Sequence, residues 1–247
     1  MAKRKKSGRC VHCLRNVEEL TRDHVFPKAW YPDNTPQNLE RWTIPACEKC
    51  NGEYGRLEDD LLFRLGMCLD PEEAKSSGIT DKVLRSIDPE CATTLKEKQI
   101  RQKKREQIKN EIVEWENVPS RGILPNFGLQ SDVSYSIYAS IPILRDKLER
   151  LGHKIARGIT YITDKSFIED DCEITVVLAE DQNVEPLLKS MSRVLKVYQR
   201  PGIKVECAIT DERSDCRFYL IEIWGRWKMY TVVMPREVIP ERLKSYL

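Results

Sequence analysis

Three short motifs near the N-terminus decide the expected fold: CVHC (10–13), TRDHVFPK (21–28) and PACEKCN (45–51). Two Cys-x-x-Cys pairs, Cys10/Cys13 and Cys47/Cys50, have the spacing of a four-thiolate zinc site. In such a site, each of two tight turns gives two ligands to tetrahedral Zn²⁺. The pairs are separated by 33 residues, whereas an ordinary zinc ribbon separates them by roughly 15–20. We therefore expect structural zinc to close a long loop that carries residues with a function besides zinc binding.

That loop contains Asp23 and His24, and Asn51 directly follows the last cysteine. Together with the cysteine pairs, these residues resemble the HNH endonucleases, which are built on a ββα-metal finger. The resemblance covers roughly the first 65 residues and rests on three separate motifs in the right order. It implies a zinc-stabilised ββα-metal finger at residues 1–66 and hydrolysis of phosphodiester bonds in DNA.

The resemblance also implies catalytic roles for His24, Asp23 and Asn51. His24 is the expected general base, because a neutral imidazole can accept a proton near pH 7. His12 lies inside the zinc knuckle, and we expect it to face solvent. Asp23 and Asn51 are the expected ligands of a catalytic divalent cation, and their hard oxygen atoms favour Mg²⁺, with Mn²⁺ next.

The chain departs from the HNH pattern at two positions. The family's middle asparagine, which orients the histidine loop, would fall at Trp42, so we assign that role to Asn38, which precedes Leu39. A lysine often follows the last metal ligand by three residues, and here that position is Tyr54. Four basic residues beside the motifs are the expected nucleic-acid contacts: Arg22, Lys28, Lys49 and Arg56. For Arg56, an ordinary solvent-exposed role is an equal alternative.

A second interpretation of the same motifs is a zinc-dependent module that binds nucleic acid or a protein partner without catalysis. Such a module needs the four cysteines but has no use for the combination of Asp23, His24 and Asn51. For that reason we favour the nuclease, and bacterial or phage defence or mobility is the setting such an enzyme suggests. The motifs do not distinguish DNA from RNA, or nicking from double-strand cleavage.

Composition narrows the remaining possibilities. The chain has 247 residues, of which 32 % are charged and 40 % hydrophobic, and its net charge is +2. No apolar run approaches the roughly 20 residues that span a bilayer, and we expect no membrane association. The basic N-terminus leads into no apolar segment, so we expect no secretory signal. Nine cysteines, an odd number, together with a thiolate zinc site favour a reducing compartment such as the cytoplasm.

Basic residues are concentrated in two places. Residues 3–9 carry five Lys/Arg and no acid, and residues 96–109 carry seven bases and two acids. Such segments suit a phosphate backbone, although most charge runs are solvated helix faces.

The rest of the chain is expected to be a second α+β unit joined by a helical connector. We predict a short hairpin within residues 16–28, a helix from Glu48 to Gly66, and a charged helical connector at 67–125, broken at Gly78 and Pro89. The turn-rich segment 118–128 is the predicted boundary of a C-terminal α+β domain, 126–247, with an antiparallel sheet.

Within that C-terminal half, residues 144–162 carry an apolar stripe at helical spacing. The opposite face is basic (Lys147, Arg150, Lys154 and Arg157), and it indicates a solvated face or a DNA contact. Strands are predicted at 172–180 and 203–209, a helix at 184–198, and a hairpin at 216–234 around Gly225.

No catalytic constellation is visible in this half, and we hypothesise that it supplies homodimerisation or target selection. The predicted hairpin at 216–234 carries Trp224 and Trp227 beside its turn. We expect it to be the exposed surface for that purpose, although the two rings are equally compatible with a core.

Overall fold

The computed structural model describes residues 6–69, 73–114, 139–178, 194–209 and 216–238. Helices and strands are mixed along the chain, and every sheet is antiparallel. The predicted α+β class, with an antiparallel sheet in the C-terminal half, is confirmed. The predicted boundary at 118–128 lies outside the described residues. Within those residues, no helix is both long and apolar enough to cross a bilayer.

The N-terminal elements are β1 (Lys6–Arg9), β2 (Asn16–His24), β3 (Thr43–Ala46) and α1 (Glu48–Gly66). The predicted helix from Glu48 is confirmed. The predicted hairpin within residues 16–28 is wrong, because residues 16–24 form one strand that pairs with β1 on one edge and β3 on the other. No glycine or proline occurs between Val17 and His24 to turn the chain.

Among the described residues, three further helices follow: α2 (Ile79–Ile87), α3 (Leu95–Glu111) and α4 (Arg145–Asp164). The predicted breaks in the connector are confirmed, since Gly78 has a positive φ of 72° before α2 and Pro89 begins a 3-10 turn before α3. The predicted helix at 144–162 corresponds to α4. Two short strands, β4 (Val113–Glu114) and β5 (Ala139–Ser140), pair with each other before α4.

The C-terminal sheet consists of β6 (Cys172–Leu178), β7 (Val194–Arg200), β8 (Ile203–Ile209), β9 (Arg217–Ile223) and β10 (Trp227–Pro235). Its strand order is β6-β10-β9-β8-β7. The predicted strand at 203–209 and the predicted hairpin at 216–234 are confirmed, and the predicted strand at 172–180 is confirmed over its described part, 172–178. That hairpin turns tightly through Trp224 and Gly225, both of which have positive φ.

The predicted helix at 184–198 is wrong over its described part. Residues 194–198 belong to β7, which pairs with β8 through a tight turn at Pro201 and Gly202. Val194, Val197 and Tyr198 are residue types that favour a pleated strand, and their pairing with β8 overrides the helical spacing of the segment. Residues 184–193 lie outside the described part of the chain.

Helix α4 packs between the N-terminal sheet and the C-terminal sheet, and two glycines allow the close approach. A Cβ atom on Gly158 would lie 2.7 Å from Val25 Cγ2, just beyond β2. A Cβ atom on Gly152 would lie 2.5 Å from Val176 Cγ2 in β6. Buried apolar side chains from all three predicted segments, including Leu61, form one continuous core around α4.

The β9–β10 turn packs on the N-terminal part instead of facing solvent. Trp224 is 1 % exposed, and its indole Nε1 donates a 2.7 Å hydrogen bond to the carbonyl oxygen of Trp30. The rings of Trp30 and Trp224 lie 5.4 Å apart. Trp227 is also buried. The expectation that these tryptophans form an exposed surface is therefore wrong, because both rings belong to the core.

The close contact at Gly158 leads to a stability prediction. We expect Gly158→Ala to lower the free energy of unfolding by roughly 1–3 kcal/mol, because the added methyl group must displace Val25 in a packed core. Urea unfolding of the full chain measures the change.

The matched control is Gly55→Ala in α1, where an added Cβ meets nothing within 4 Å. Both changes give the same gain in helix propensity, and for the control we expect a rise of up to about 1 kcal/mol. Equal effects from the two substitutions would contradict the described packing of α4.

Candidate functional site

The four cysteines of the two pairs form a compact cluster that could hold a metal ion. The sulfur atoms of Cys10, Cys13, Cys47 and Cys50 all lie within 4.8 Å of one another. A tetrahedral zinc–thiolate site has Zn–S bonds of about 2.3 Å, which puts its sulfur atoms about 3.8 Å apart. The Sγ atoms of Cys13 and Cys47 are 3.9 Å apart. Four thiolates at this spacing are the donor set of structural zinc.

Local structure positions the two halves of this cluster. Leu14 has a positive φ of 59°, and its amide donates to the Cys10 carbonyl in a tight knuckle. Cys47 is the N-cap of α1, and its sulfur accepts a hydrogen bond from the Cys50 amide. The Val11 amide donates to the Pro45 carbonyl, which joins the knuckle to β3. The start of α1 is therefore tied to the cysteine cluster.

Asn51, in the first turn of α1, contacts the face of β2 that carries Asp23. Its Nδ2 donates a 2.9 Å hydrogen bond to Thr21 Oγ1. Side chains two residues apart on a strand share one face, at a spacing of about 7 Å. Thr21 and Asp23 consequently point to the same side, and Asn51 contacts Thr21 on that side.

Asp23 is buried and already has two partners. Its side chain is enclosed, with the residue 3 % exposed. Oδ2 lies 2.7 Å from His12 Nε2, and Oδ1 accepts a 2.9 Å hydrogen bond from Lys154 Nζ on α4. His12 is 4 % exposed, so the expectation that it faces solvent is wrong. Burial lowers the pKa of His12, and a neutral ring donates to the carboxylate through Nε2.

Lys154 also contacts a second carboxyl group, that of Glu58 in α1. Its side chain is 0 % exposed, and its ammonium group lies 5.4 Å from the centre of the Tyr54 ring. Burial raises the pKa of the Glu58 carboxyl to about 7, against the opposing effect of the Lys154 ammonium. One cation from α4 is thus held between carboxyl groups from β2 and α1.

The basic face of α4 was expected to be a solvated face or a DNA contact. Neither role applies to the whole face. Lys154 is buried, Lys147 pairs with Asp60 of α1 at 2.8 Å, and Arg157 donates to the His12 carbonyl oxygen at 2.9 Å. Of the four basic residues on that face, Arg150 is exposed. Acidic and carbonyl oxygens of the N-terminal part attract this face, because they neutralise charges that burial would otherwise leave unpaired.

His24 lies on the other side of β2. As the residue after Asp23 in a continuous strand, it points to the opposite face, which it shares with the exposed Arg22. His24 is half-buried, and burial lowers the pKa of its imidazole below the usual value. Among the described residues, β1 pairs with β2 only as far as Leu20, so the strand end that carries His24 extends past β1.

The other predicted site residues are exposed. Asn38 lies in an exposed turn, and no hydrogen bond joins it to His24 in the described chain. Its orienting role stays a prediction. Lys28, Lys49 and Arg56 are exposed, as expected of residues that contact a phosphate backbone.

The donors at Asp23 do not fit a divalent cation in this arrangement. Both carboxylate oxygens have partners, the residue is buried, and an ammonium group lies 2.9 Å from Oδ1. A metal ion bound to Asp23 would be repelled by that ammonium. The predicted Asp23/Asn51 cation pair is therefore incompatible with Lys154 in its present position.

Glu58 was not predicted as a site residue, and Lys154 was predicted only as part of the basic face of the helix, in a solvated or DNA-binding role. For Glu58 a signal is present, because it falls in the same helical stripe as Leu61 and Leu65. A charged residue inside an apolar stripe is expected to be paired if it is buried. The pattern does not reveal that these two opposite charges meet.

Comparison of the chain with family models, with curated proteins and with solved structures finds no match.

The cysteine cluster leads to a prediction about metal and folding. We expect Cys50→Ser to lose zinc and to unfold the N-terminal sheet, because structural zinc binding is itself folding free energy. The control is Cys91→Ser, which changes an exposed cysteine outside the cluster. Elemental analysis of zinc per chain and thermal unfolding measure the outcome. Wild-type protein prepared without chelator but holding no zinc would contradict the assignment.

Proposed function

We propose that this chain is an endonuclease of the HNH type, which hydrolyses phosphodiester bonds in DNA with His24 as the general base. The observation that carries the proposal is the hydrogen bond from Asn51 to Thr21. It joins the first turn of α1 to the strand that carries Asp23 and His24 on its two opposite faces, so two neighbouring elements hold the three residues that the HNH resemblance connects with catalysis. The cysteine cluster next to Asn51 supports a ββα finger with structural zinc.

The surface around His24 is suited to a phosphodiester. Arg22 lies on the same face of β2 as His24 and is exposed. A phosphate group beside the imidazole would therefore lie close to the Arg22 guanidinium. Hydrolysis needs a water molecule made nucleophilic by a base, and a half-buried neutral imidazole can take that proton. Arginine stabilises phosphate charge through paired N–H donors.

The reaction also needs compensation for charge that develops on the phosphate and the leaving oxygen. Mg²⁺ or Mn²⁺ would supply Lewis acidity there, with Asp23 and Asn51 as the oxygen donors that the resemblance implies. In the described arrangement, Lys154 Nζ contacts Asp23, so Asp23 could bind the metal ion only if Lys154 moved. Residues His24, Arg22 and Asn51 are not restricted in this way.

One base and one cation site act on one strand at a time, so a single chain is expected to nick DNA. Cleavage of both strands then needs successive nicks or two copies of the chain. The predicted homodimer through the C-terminal half stays a prediction, and the buried tryptophans of the β9–β10 turn no longer favour that surface.

The alternative function is a zinc-dependent binding module without catalysis. It is favoured by one observation: Asp23 is fully engaged by His12 and Lys154, as a structural carboxylate would be. This alternative retains nucleic-acid binding through the exposed basic residues. The two functions differ in what His24 does.

We expect His24→Ala to abolish plasmid cleavage and to leave zinc content and thermal unfolding unchanged, because within the described chain no hydrogen bond joins the imidazole to the cysteine cluster or to the buried Lys154 ion pairs. Loss of a general base typically costs a factor of about 10²–10⁴ in rate. The measurement is nicking of supercoiled plasmid with Mg²⁺, with Mn²⁺ and with chelator. Near wild-type cleavage by the variant would remove His24 from the mechanism.

A matched control is Glu18→Ala, an exposed change on the same strand outside the candidate site. If neither the wild-type chain nor this control cuts plasmid under any of the metal conditions, while both bind DNA, the binding module is the correct function.

The proposed DNA-facing residues predict a specific change in salt dependence. Replacing Arg22, Lys28, Lys49 and Arg56 by Gln is expected to weaken DNA binding and to flatten its dependence on salt. Each lost phosphate contact lowers the slope of log K against log salt by about 0.9. Binding titrations at several salt concentrations measure that slope.

The comparison set takes four exposed bases of α3 instead: Lys96, Lys103, Arg105 and Lys109. We expect this set to lose less DNA affinity than the set at Arg22, Lys28, Lys49 and Arg56, because its residues are not adjacent to the motifs at His24 and Asn51. A larger loss from α3 would assign the DNA contact to that helix.

A further inference from the structure

The loop that follows β2 carries a buried hydroxyl group without a partner. Tyr31 is 2 % exposed, and no described residue makes a hydrogen bond to its hydroxyl. Burial raises the pKa of this hydroxyl to about 12, and the opposing effects come from two guanidinium groups, those of Arg200 and Arg41. Both cations therefore lie close to one buried hydroxyl. In native proteins, a buried polar group of this kind commonly faces a ligand, an ion or a water molecule.

The two arginines reach this hydroxyl from different halves of the chain. Arg41 lies over the ring of Tyr31, with its Cζ atom 5.4 Å from the ring centre. Arg200, at the end of β7, lies over the ring of Trp42 at 4.6 Å, and its Nε donates a 3.3 Å hydrogen bond to the Glu40 carbonyl oxygen. Guanidinium groups stack favourably on aromatic faces, so the two rings orient both cations before a ligand binds.

These two cations have no counter-charge in the described part of the chain. Arg41 Nε is buried and makes no hydrogen bond to a described residue. Within the same residues, Arg200 donates to two carbonyl oxygens, those of Glu40 and Gln199, and to no carboxylate. Half-buried guanidinium groups that lie close together repel each other, and a bound anion would relieve that repulsion. The ligand that fits this position is therefore an anion that accepts several hydrogen bonds.

The position lies beside the proposed catalytic base. Thr43 pairs with His24 across β2 and β3, and Arg41 precedes Thr43 by two residues. The Val25 amide donates to the Trp42 carbonyl oxygen at 3.0 Å, which holds this segment against the end of β2. Burial has the largest effect in lowering the pKa of the His24 imidazole, and among the cations that lower it further Arg41 has the largest effect. An anion bound to Arg41 would consequently lie near the imidazole.

We propose that Arg41, Arg200 and the Tyr31 hydroxyl bind a phosphate of the DNA backbone beside the bond that is cut. Phosphate oxygens accept paired N–H donors from arginine and an O–H donor from tyrosine. This inference rests on the proposed function, because it places the cut bond at His24. It adds three residues that lie outside the HNH motifs. It also assigns a DNA contact to the C-terminal half, since Arg200 belongs to β7.

Binding of a fluorescently labelled DNA duplex to the full chain, measured by anisotropy without added divalent cation, tests the subsite. We expect Arg41→Gln and Arg200→Gln each to weaken binding about tenfold, because each removes charge-assisted hydrogen bonds to phosphate. Each is also expected to lower the slope of log K against log salt by about 0.9. Tyr31→Phe is expected to weaken binding about threefold and to leave the slope unchanged, because it removes a donor but no charge.

The matched control is Arg145→Gln, which removes the same charge from an arginine that already pairs with Glu149. We expect its DNA affinity and its salt slope to equal those of the wild type. Wild-type affinity in both Arg41→Gln and Arg200→Gln, or an equal loss in the control, would overturn the proposal. A wild-type chain that binds no DNA at any salt concentration would also overturn it.

Thermal unfolding separates a lost ligand contact from a damaged fold. Without DNA, we expect Tyr31→Phe to melt at the wild-type temperature or above it, because the hydroxyl that it removes has no partner in the described chain. A lower melting temperature with unchanged DNA affinity would make the hydroxyl structural and overturn its place in the subsite. If Arg41→Gln fails to fold, Arg41→Lys, which keeps the charge but not the planar group, replaces it. Weaker binding at an unchanged salt slope then supports the proposal, and wild-type affinity overturns it.

Failure of this inference is distinguishable from failure of the proposed nuclease. A wild-type chain that binds the duplex but cuts no plasmid under any metal condition removes the nuclease and leaves the binding comparison valid. Cleavage by the wild type, together with unchanged DNA affinity in the variants at Arg41 and Arg200, removes the subsite and leaves the role of His24 unaffected.

Discussion

The buried ammonium of Lys154 fixes how the two halves of this protein pack together. Its carboxyl partners come from β2 and α1, and the lysine itself comes from α4. Each of these ions would cost several kcal/mol to bury alone. A shift of α4 by one turn would separate the ammonium from both carboxyl groups, so the position of this helix on the N-terminal part is specified by charge as well as by shape. Gly158 permits the close approach that the ion pairs require.

The cysteine cluster imposes a separate constraint on the same region. Cys47 and Cys50 belong to the cap and first turn of α1, so a metal ion in the cluster would fix the place where that helix begins. Asn51 follows immediately and contacts Thr21 on β2. The end of β2 is thereby held from both directions, by the cluster on one side and by α4 on the other. Its inner face carries Asp23 in a closed polar pocket, and its outer face carries His24 and Arg22.

Local patterns in the sequence were sufficient to predict much of the fold. The apolar spacing in α1 and α4 and the alternation around Gly225 identified these elements, because each pattern is a property of neighbouring residues. The helix predicted over residues 194–198 was wrong because pairing with β8 decides the conformation of that segment. The hairpin expected within 16–28 was wrong because pairing on both edges keeps β2 extended.

In the candidate site, too, residues that follow a local sequence pattern were predictable, and contacts between distant residues were not. The four cysteines were predictable because metal ligands obey a fixed spacing, and their convergence is confirmed. The partners of Asp23 were not predictable, because His12 reaches it from the cysteine knuckle and Lys154 reaches it from α4. His12 was expected in solvent since nothing in the CVHC motif indicates a carboxylate 11 residues away. Lys154 lies 131 residues from Asp23 along the chain, and only the tertiary structure brings them into contact.

The hydrogen bond from Trp224 to the Trp30 carbonyl has a consequence for synthesis of the chain. The four cysteines are all present once residue 50 has been made. The segment around Trp30 receives its indole partner 194 residues later. During translation, the cysteines of the cluster therefore emerge well before the tryptophan that packs on Trp30, and this contact forms only after the strand that precedes Trp224 has been made.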